Sequence, residues 1–122
     1  MAKYNHLPIF QETYKLTLEI HQTVDQFPRA HKYVLGQRLK DITSDLMDLI
    51  VEANSKQEKA EILEQARLKL EKFRIHLRLS FDLKILGLKK YEYFSRIIEE
   101  ISKQLSGWLD WAREKNSSFT IK

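Results

Sequence analysis

Apolar residues recur at three- and four-residue spacing along most of the chain, in four runs separated by breaks. That period puts the apolar positions of each run on one face of a helix. In the first run Ile9, Thr13, Leu16, Ile20, Val24 and Phe27 form the face, which predicts a helix over about 8–26. It opens on Pro8, where a missing N–H is no loss. Phe10, Tyr14 and Leu18 widen this stripe, so the helix is expected to touch more than one neighbour. In the second run Leu35, Leu39, Ile42, Leu46, Leu49 and Ala53 alternate by four and three, the seam of a bundle helix over about 30–53. Asp41, Asp45, Asp48 and Glu52 repeat at the same spacing as an acidic outer stripe.

The third run is the longest and predicts a helix over about 57–85, beginning at Lys56 or Gln57. Leu63, Ala66, Leu70, Phe73 and Leu77 make one seam, and Leu68, Ile75, Leu79 and Leu83 make a second, rotated from the first. A helix with two apolar seams is central in its bundle or contacts another subunit. The fourth helix, about 89–114, has Phe94, Ile98, Ile101, Leu105, Trp108 and Ala112 as its seam, with Trp111 outside it. Residues 116–122 are expected to be a loose tail.

The breaks agree with this division. Pro28 cannot continue a helix, and it disfavours the helical region for Phe27. Asn54 and Ser55 favour turns and caps, and Gly87 is expected as the left-handed residue that closes the third helix. Gly36 falls just inside the second helix, where it costs about 1 kcal/mol relative to alanine, so a close contact with another backbone is expected there. Four amphipathic helices on short connections bury their stripes most economically as an antiparallel up-down-up-down four-helix bundle, an all-α fold spanning one domain of 122 residues.

Composition narrows the function. No cysteine is present, which removes disulfides and thiolate metal sites and fits a reducing compartment. The amino terminus lacks the apolar run of a signal peptide, and no stretch approaches the length of a membrane span. The expectation is a soluble, cytoplasmic protein. The formal charge of +4 is unevenly spread. Between Arg67 and Lys90 eight basic residues face only Glu71 and Asp82, an excess of six, and the rest of the chain sums to −2. Arg67, Arg74 and Arg78 share a helical face, and Lys69, Lys72 and His76 lie on an adjoining one. Such a stripe is either a solvated face neutralised by nearby glutamates or a surface for nucleic-acid phosphates. Arg29, Lys32 and Arg38 strengthen the second reading if they fall on the same side. The aromatic residues do not interleave with the stripe, so binding is expected to be to the backbone and sequence-nonspecific.

Enzymatic chemistry finds little support. The Glu-x-x-His pairs of di-iron bundles are absent, and no metal or other cofactor is expected. The serines lack an activating context, and three scattered glycines make no phosphate loop. His6, His21, His31 and His76 read as surface or half-buried packing residues. Tyr33, Tyr91, Tyr93, Phe94, Trp108 and Trp111 read as bundle core and rim, with Trp111 the best candidate for a contact with another chain.

The order and spacing of several motifs carry a family likeness. Leu7-Pro8-Ile9-Phe10 with Thr13-Tyr14 opens the first helix, and Phe27-Pro28 is followed by Leu35-Gly36-Gln37-Arg38-Leu39. Leu46 to Ile50 with Val51-Glu52-Ala53-Asn54, then Leu68-Lys69-Leu70-Glu71 with Leu77-Arg78-Leu79, Tyr91-Glu92 and Gly107-Trp108 come after them. From about Leu7 to Ala112 the chain resembles the accessory variability determinant (Avd) proteins of diversity-generating retroelements, within a wider four-helix family that includes the ribosomal RNA intervening-sequence proteins. The resemblance implies a non-enzymatic homopentamer with a basic surface. It further implies association with the retroelement reverse transcriptase, binding of RNA or DNA, and support for mutagenic retrohoming. The basic positions it suggests for nucleic-acid binding are Arg38, Arg67, Lys69, Arg74 and Arg78. The competing expectation is a self-assembling scaffold bundle without a nucleic-acid role, its basic residues paired with acids.

Overall fold

The computed structural model describes the backbone of residues 4–120 and the side chains of residues 4–115. Its helices are α1 (Pro8–Val24), the single turn α2 (Arg29–Lys32), α3 (Leu35–Ser55), α4 (Ala60–Asp82) and α5 (Leu88–Thr120). The four long helices form a bundle in which α3 packs on α1 and α4, and α5 packs on α4 and α1. Consecutive helices are therefore neighbours, and α1 and α4 stand on one diagonal. Cross-helix pairs fix the antiparallel sense: Arg74 meets Glu99 and Arg113 meets Glu64, so α4 and α5 run in opposite directions.

The core is the set of stripes read from the periodicity. Ile9, Leu16, Ile20, Val24 and Phe27 of the first stripe are buried, as are Leu63, Ala66, Leu70, Phe73 and Leu77 of α4. Phe73 and Phe94 are the largest fully buried side chains. Two seams drift by one residue. In α3 the fully buried position is Ile50 rather than Leu49, and in α5 Leu109 is buried where Trp108 is only partly covered. A straight helix of 3.6 residues per turn departs from a strict four-three alternation, and the drift is its result. Threonines replace aliphatics where α1 and α3 meet. Thr13 and Thr43 hydroxyls bond to carbonyls of their own helices, and Thr17 donates to Thr13 O at 2.8 Å and Thr43 O at 3.4 Å, so these buried groups are satisfied.

The connections differ most from expectation. The second helix is not continuous over 30–53: after α2 the backbone leaves the helical region at Tyr33 and Val34 and resumes at Leu35. Gly36 is therefore the second residue of α3, buried against the end of α1. A Cβ there would lie 2.6 Å from Val24 Cγ1 and 3.4 Å from both His31 O and Phe27 Cδ2. The close approach is real, and its nearest partner is a side chain rather than backbone.

The third helix begins at Ala60 and ends at Asp82, shorter than 57–85. Lys59 directs its ammonium back to the carbonyls of Ala53 at 2.7 Å and Asn54 at 3.3 Å, capping α3 with a charge that suits the negative end of a helix. At the other end the left-handed residue is Lys84 (φ 62°), not Gly87. Ile85 N donates to Ser80 O and Lys84 N to Phe81 O, the two bonds of a Schellman motif, and the turn drops Leu86 into the core. Gly87 instead precedes α5, where its carbonyl accepts the Tyr91 N–H. The backbone of α5 stays helical to Thr120, through most of the stretch expected as a loose tail; Ile121 and Lys122 lie outside the described residues.

Candidate nucleic-acid interface

The outer surface of α4 divides into three strips, because residues three and four apart share a face. Toward α5 run Glu64, Arg67, Glu71, Arg74 and Arg78. Toward α3 lie Gln65, Lys69 and Lys72. Between them stands an exposed apolar ridge of Leu68, Ile75, Leu79 and Leu83, with Ile75 64% and Leu68 57% exposed. The second seam is thus solvent-facing in one copy of the chain. The basic residues straddle this ridge and do not form one continuous stripe.

Most of the predicted cations on α4 face carboxylates. Arg67 is bound to Glu64, and Lys69 Nζ lies 3.1 Å from Asp45 of the acidic α3 stripe. Arg74 is held between Glu71 at 3.1 Å and Glu99, and Arg78 Nε lies 3.5 Å from Asp82. Burial lowers the Arg74 pKa, but the hydrogen bond and charge of Glu99, with those of Glu71, outweigh it and leave the group above the ordinary arginine value. These pairs are largely exposed and contribute little to stability. Their effect is on the potential, since a carboxylate beside each cation leaves a dipole in place of a net charge, and its field falls off faster with distance.

Arg38 is placed differently. It lies exposed in the first turns of α3, at the end of the bundle that holds the connections 25–34 and 83–87. A cleft of about 270 Å³ lined by Glu19, Gln26, Phe27, Leu86, Gly87 and Lys90 shows the two connections side by side. Residues 25–41 and 78–92 together hold eight Lys and Arg against four Asp and Glu, and the remainder of the chain is balanced. These two stretches, which hold the connections at one end of the bundle, therefore carry a formal +4, equal to the excess of the whole chain. Two of the four acids there are occupied: Asp25 faces Lys40 at 3.9 Å, and Asp82 faces Arg78. Arg29, Lys32, Arg38, Lys84, Lys89 and Lys90 face no carboxylate within 4.0 Å among the described residues.

The opposite end is built otherwise. Trp111 is half exposed with Lys115 Nζ 4.9 Å from its ring centroid, and Trp108 lies beneath Lys59. Burial, and then the like charge of Lys115, lower the Lys59 pKa. Both of the ammonium contacts given above are internal carbonyls, so Lys59 serves the fold. Among the described residues no group of three His, Cys, Asp or Glu side chains could hold a metal ion, and no helix is long and apolar enough to cross a membrane.

A comparison with known protein families matches residues 7–112 to the family described as bAvd-like. The chain belongs to the bAvd-like family. The match covers every buried seam, from Ile9 in α1 to Ala112 in α5, and both ends of the bundle. No curated protein sequence matches the chain. For this bAvd-like bundle the motif-based resemblance and the family comparison agree in family and in extent.

The structure brings Arg38 and Arg78 to the same end, with Arg29 and Lys32, while Arg67, Lys69 and Arg74 lie further down α4 among acids. The sequence reading missed Lys84, Lys89 and Lys90 as candidate contacts, although they were counted in the charged segment. Their signal was available: in an antiparallel bundle the first and third connections fall at one end, so their charges add. Tyr33, read as core or rim, is 69% exposed at that end.

Proposed function

We propose that this protein is the non-enzymatic accessory subunit of a diversity-generating retroelement, acting in the cytoplasm. It binds the element's reverse transcriptase and holds RNA or DNA during mutagenic retrohoming. The observation that carries the reading is membership of the bAvd-like family across residues 7–112. The concentration of positive charge at one end supports the nucleic-acid part, since cations without a carboxylate partner gain most by displacing counterions from phosphates. In this reading Arg38 and Arg78 lie at the densest part of the binding surface. Arg67, Lys69 and Arg74 extend it along α4, and these three and Arg78 take a smaller share than Arg38, because each already has an anionic partner.

The same proposal includes a homopentamer. The ridge of Leu68, Ile75 and Leu79 on α4 and the exposed Tyr14 and Leu18 on α1 occupy diagonal corners of the bundle. Two unlike apolar faces suit head-to-tail contacts, which form a ring where the rotation from copy to copy closes and a filament where it does not. Light scattering of the pure protein, alone and with a short RNA–DNA hybrid at low and moderate salt, tests both parts. The expected result is a pentamer that binds the hybrid at low salt and releases it as salt rises. The variant Arg38→Glu/Lys89→Glu is expected to lose most of that affinity while keeping the assembly. A pentamer with undiminished affinity in this variant refutes the placement of the surface.

A second reading is favoured by the carboxylate partners of Arg67, Lys69, Arg74 and Arg78. It makes the protein a self-assembling scaffold of the same four-helix architecture without a nucleic-acid role. A pentamer that ignores the hybrid at every salt concentration supports this alternative.

A further inference from the structure

The basic end carries an aromatic ring where it has no packing role. Pro28 starts the one-turn helix α2, whose His31 and Lys32 N–H groups both bond to the Pro28 carbonyl, at 2.9 and 3.0 Å. The turn then ends at Tyr33 (φ −96°, ψ 1°), and Gly36 lets the start of α3 sit hard against Val24. The result is that Tyr33 projects outward, 69% exposed, from the tightly packed junction of α1 and α3. Lys32 Nζ lies 5.9 Å from the centre of its ring. In sequence the ring is bracketed by Arg29 and Lys32 on one side and Arg38 on the other. The nearby carboxylates are engaged elsewhere: Asp25 faces Lys40, and Asp41 accepts from the Gln37 amide at 3.0 Å.

An exposed π-face among unpaired cations has a chemical preference. Cations alone bind any polyphosphate backbone, duplex or single strand. A ring offers something more only where a base face is free, and in a duplex the base faces are already stacked on each other. We infer that Tyr33 is a stacking platform for an unpaired base of a single-stranded nucleic acid, with Arg29, Lys32 and Arg38 receiving the flanking phosphates. This inference rests on the nucleic-acid reading proposed above and adds the form of the ligand and the residue that reads it. The expectation that aromatics do not interleave with the basic stripe concerns the third predicted helix; this ring and its cations lie elsewhere, in the connection between α1 and α3 and the first turns of α3.

The experiment is fluorescence anisotropy with two labelled probes, a mixed-sequence single-stranded RNA of about twelve nucleotides and a DNA duplex of about the same length, within a usual single-module footprint. The parent protein, Tyr33→Ala and Tyr33→Phe are compared at one salt concentration. Tyr33→Ala is expected to weaken the single strand by about five- to a hundred-fold, the range for loss of one stacked base, and to leave the duplex within about two-fold. Tyr33→Phe keeps the ring and restores single-strand affinity. Unchanged single-strand affinity in Tyr33→Ala, or an equal loss on both probes, overturns the stacking role and leaves the binding reading in place. A parent protein that binds neither probe at low salt overturns the binding reading and this inference with it.

Discussion

Replacing Gly36 with alanine puts a methyl carbon 2.6 Å from Val24 Cγ1, where ordinary contacts begin near 3.4 Å. The gap must open by about 1 Å, and the surroundings resist it. Val24 is fully buried and β-branched, so its rotamer is stiff. Phe27 Cδ2 and His31 O, each at 3.4 Å, block movement of the new methyl in other directions. Overpacking of this kind costs about 1–3 kcal/mol. Against it stands the helix preference of alanine over glycine, worth at most about 1 kcal/mol and less in a first turn. The net expectation is a loss of about 1–2 kcal/mol, which lowers the melting temperature by roughly 4–10 °C for a chain of this size. Val24→Ala removes the clashing carbon at its own cost of about 1–3 kcal/mol, and in that background Gly36→Ala should be neutral or stabilising. Urea denaturation of the four members of the cycle, followed by circular dichroism at one protein concentration, measures the coupling. A coupling of about 1–2 kcal/mol is expected. If Gly36→Ala is as stable as the parent, or costs the same in both backgrounds, the steric argument is wrong.

Two further outcomes are expected. Ile75→Glu puts a charge in the middle of the α4 ridge and should dissociate the assembly while leaving helicity unchanged; a variant with the parent's light-scattering mass would clear that ridge of any role in assembly. Lys84→Gly relieves a left-handed φ that costs a side-chain-bearing residue about 1 kcal/mol, so it should raise the melting temperature by a few degrees, and a lower or unchanged value would contradict the Schellman reading of that turn.

Helix number, order and inward faces were legible because burial imposes a period, and the period survives in the sequence as Ile9-Thr13-Leu16-Ile20 or Leu63-Ala66-Leu70-Phe73-Leu77. The exposed ridge was legible as well, since Leu68, Ile75 and Leu79 keep helical spacing without belonging to the core seam. Ends were not. Pro28 announced a break, but not that the chain would take one turn, stop at Tyr33 and start again, because that depends on how Val24 and Gly36 meet across the junction. Gly87 looked like the terminator of α4, yet Lys84 holds the left-handed position, since tucking Leu86 into the core decided where the helix ends. The site was half legible. Its charges could be counted along the chain, but which cations are neutralised is a matter of contact: Arg74 finds Glu99 and Lys69 finds Asp45 across helix boundaries that no local pattern records.

Head-to-tail contacts leave every copy of a closed ring pointing the same way along the symmetry axis. A bundle whose connections at one end carry a net positive charge therefore builds a ring with two chemically distinct sides. In the pentamer proposed above, the basic ends converge on one rim and present a circle of positive potential that a flexible polyanion can touch at several points at once. Weak individual contacts then act together, as linked sites do. In that ring the other rim, carrying Trp111 and the capped end of α3, faces away from the proposed nucleic-acid side. Such an assembly can hold a strand on one side while its opposite side is free to hold a protein.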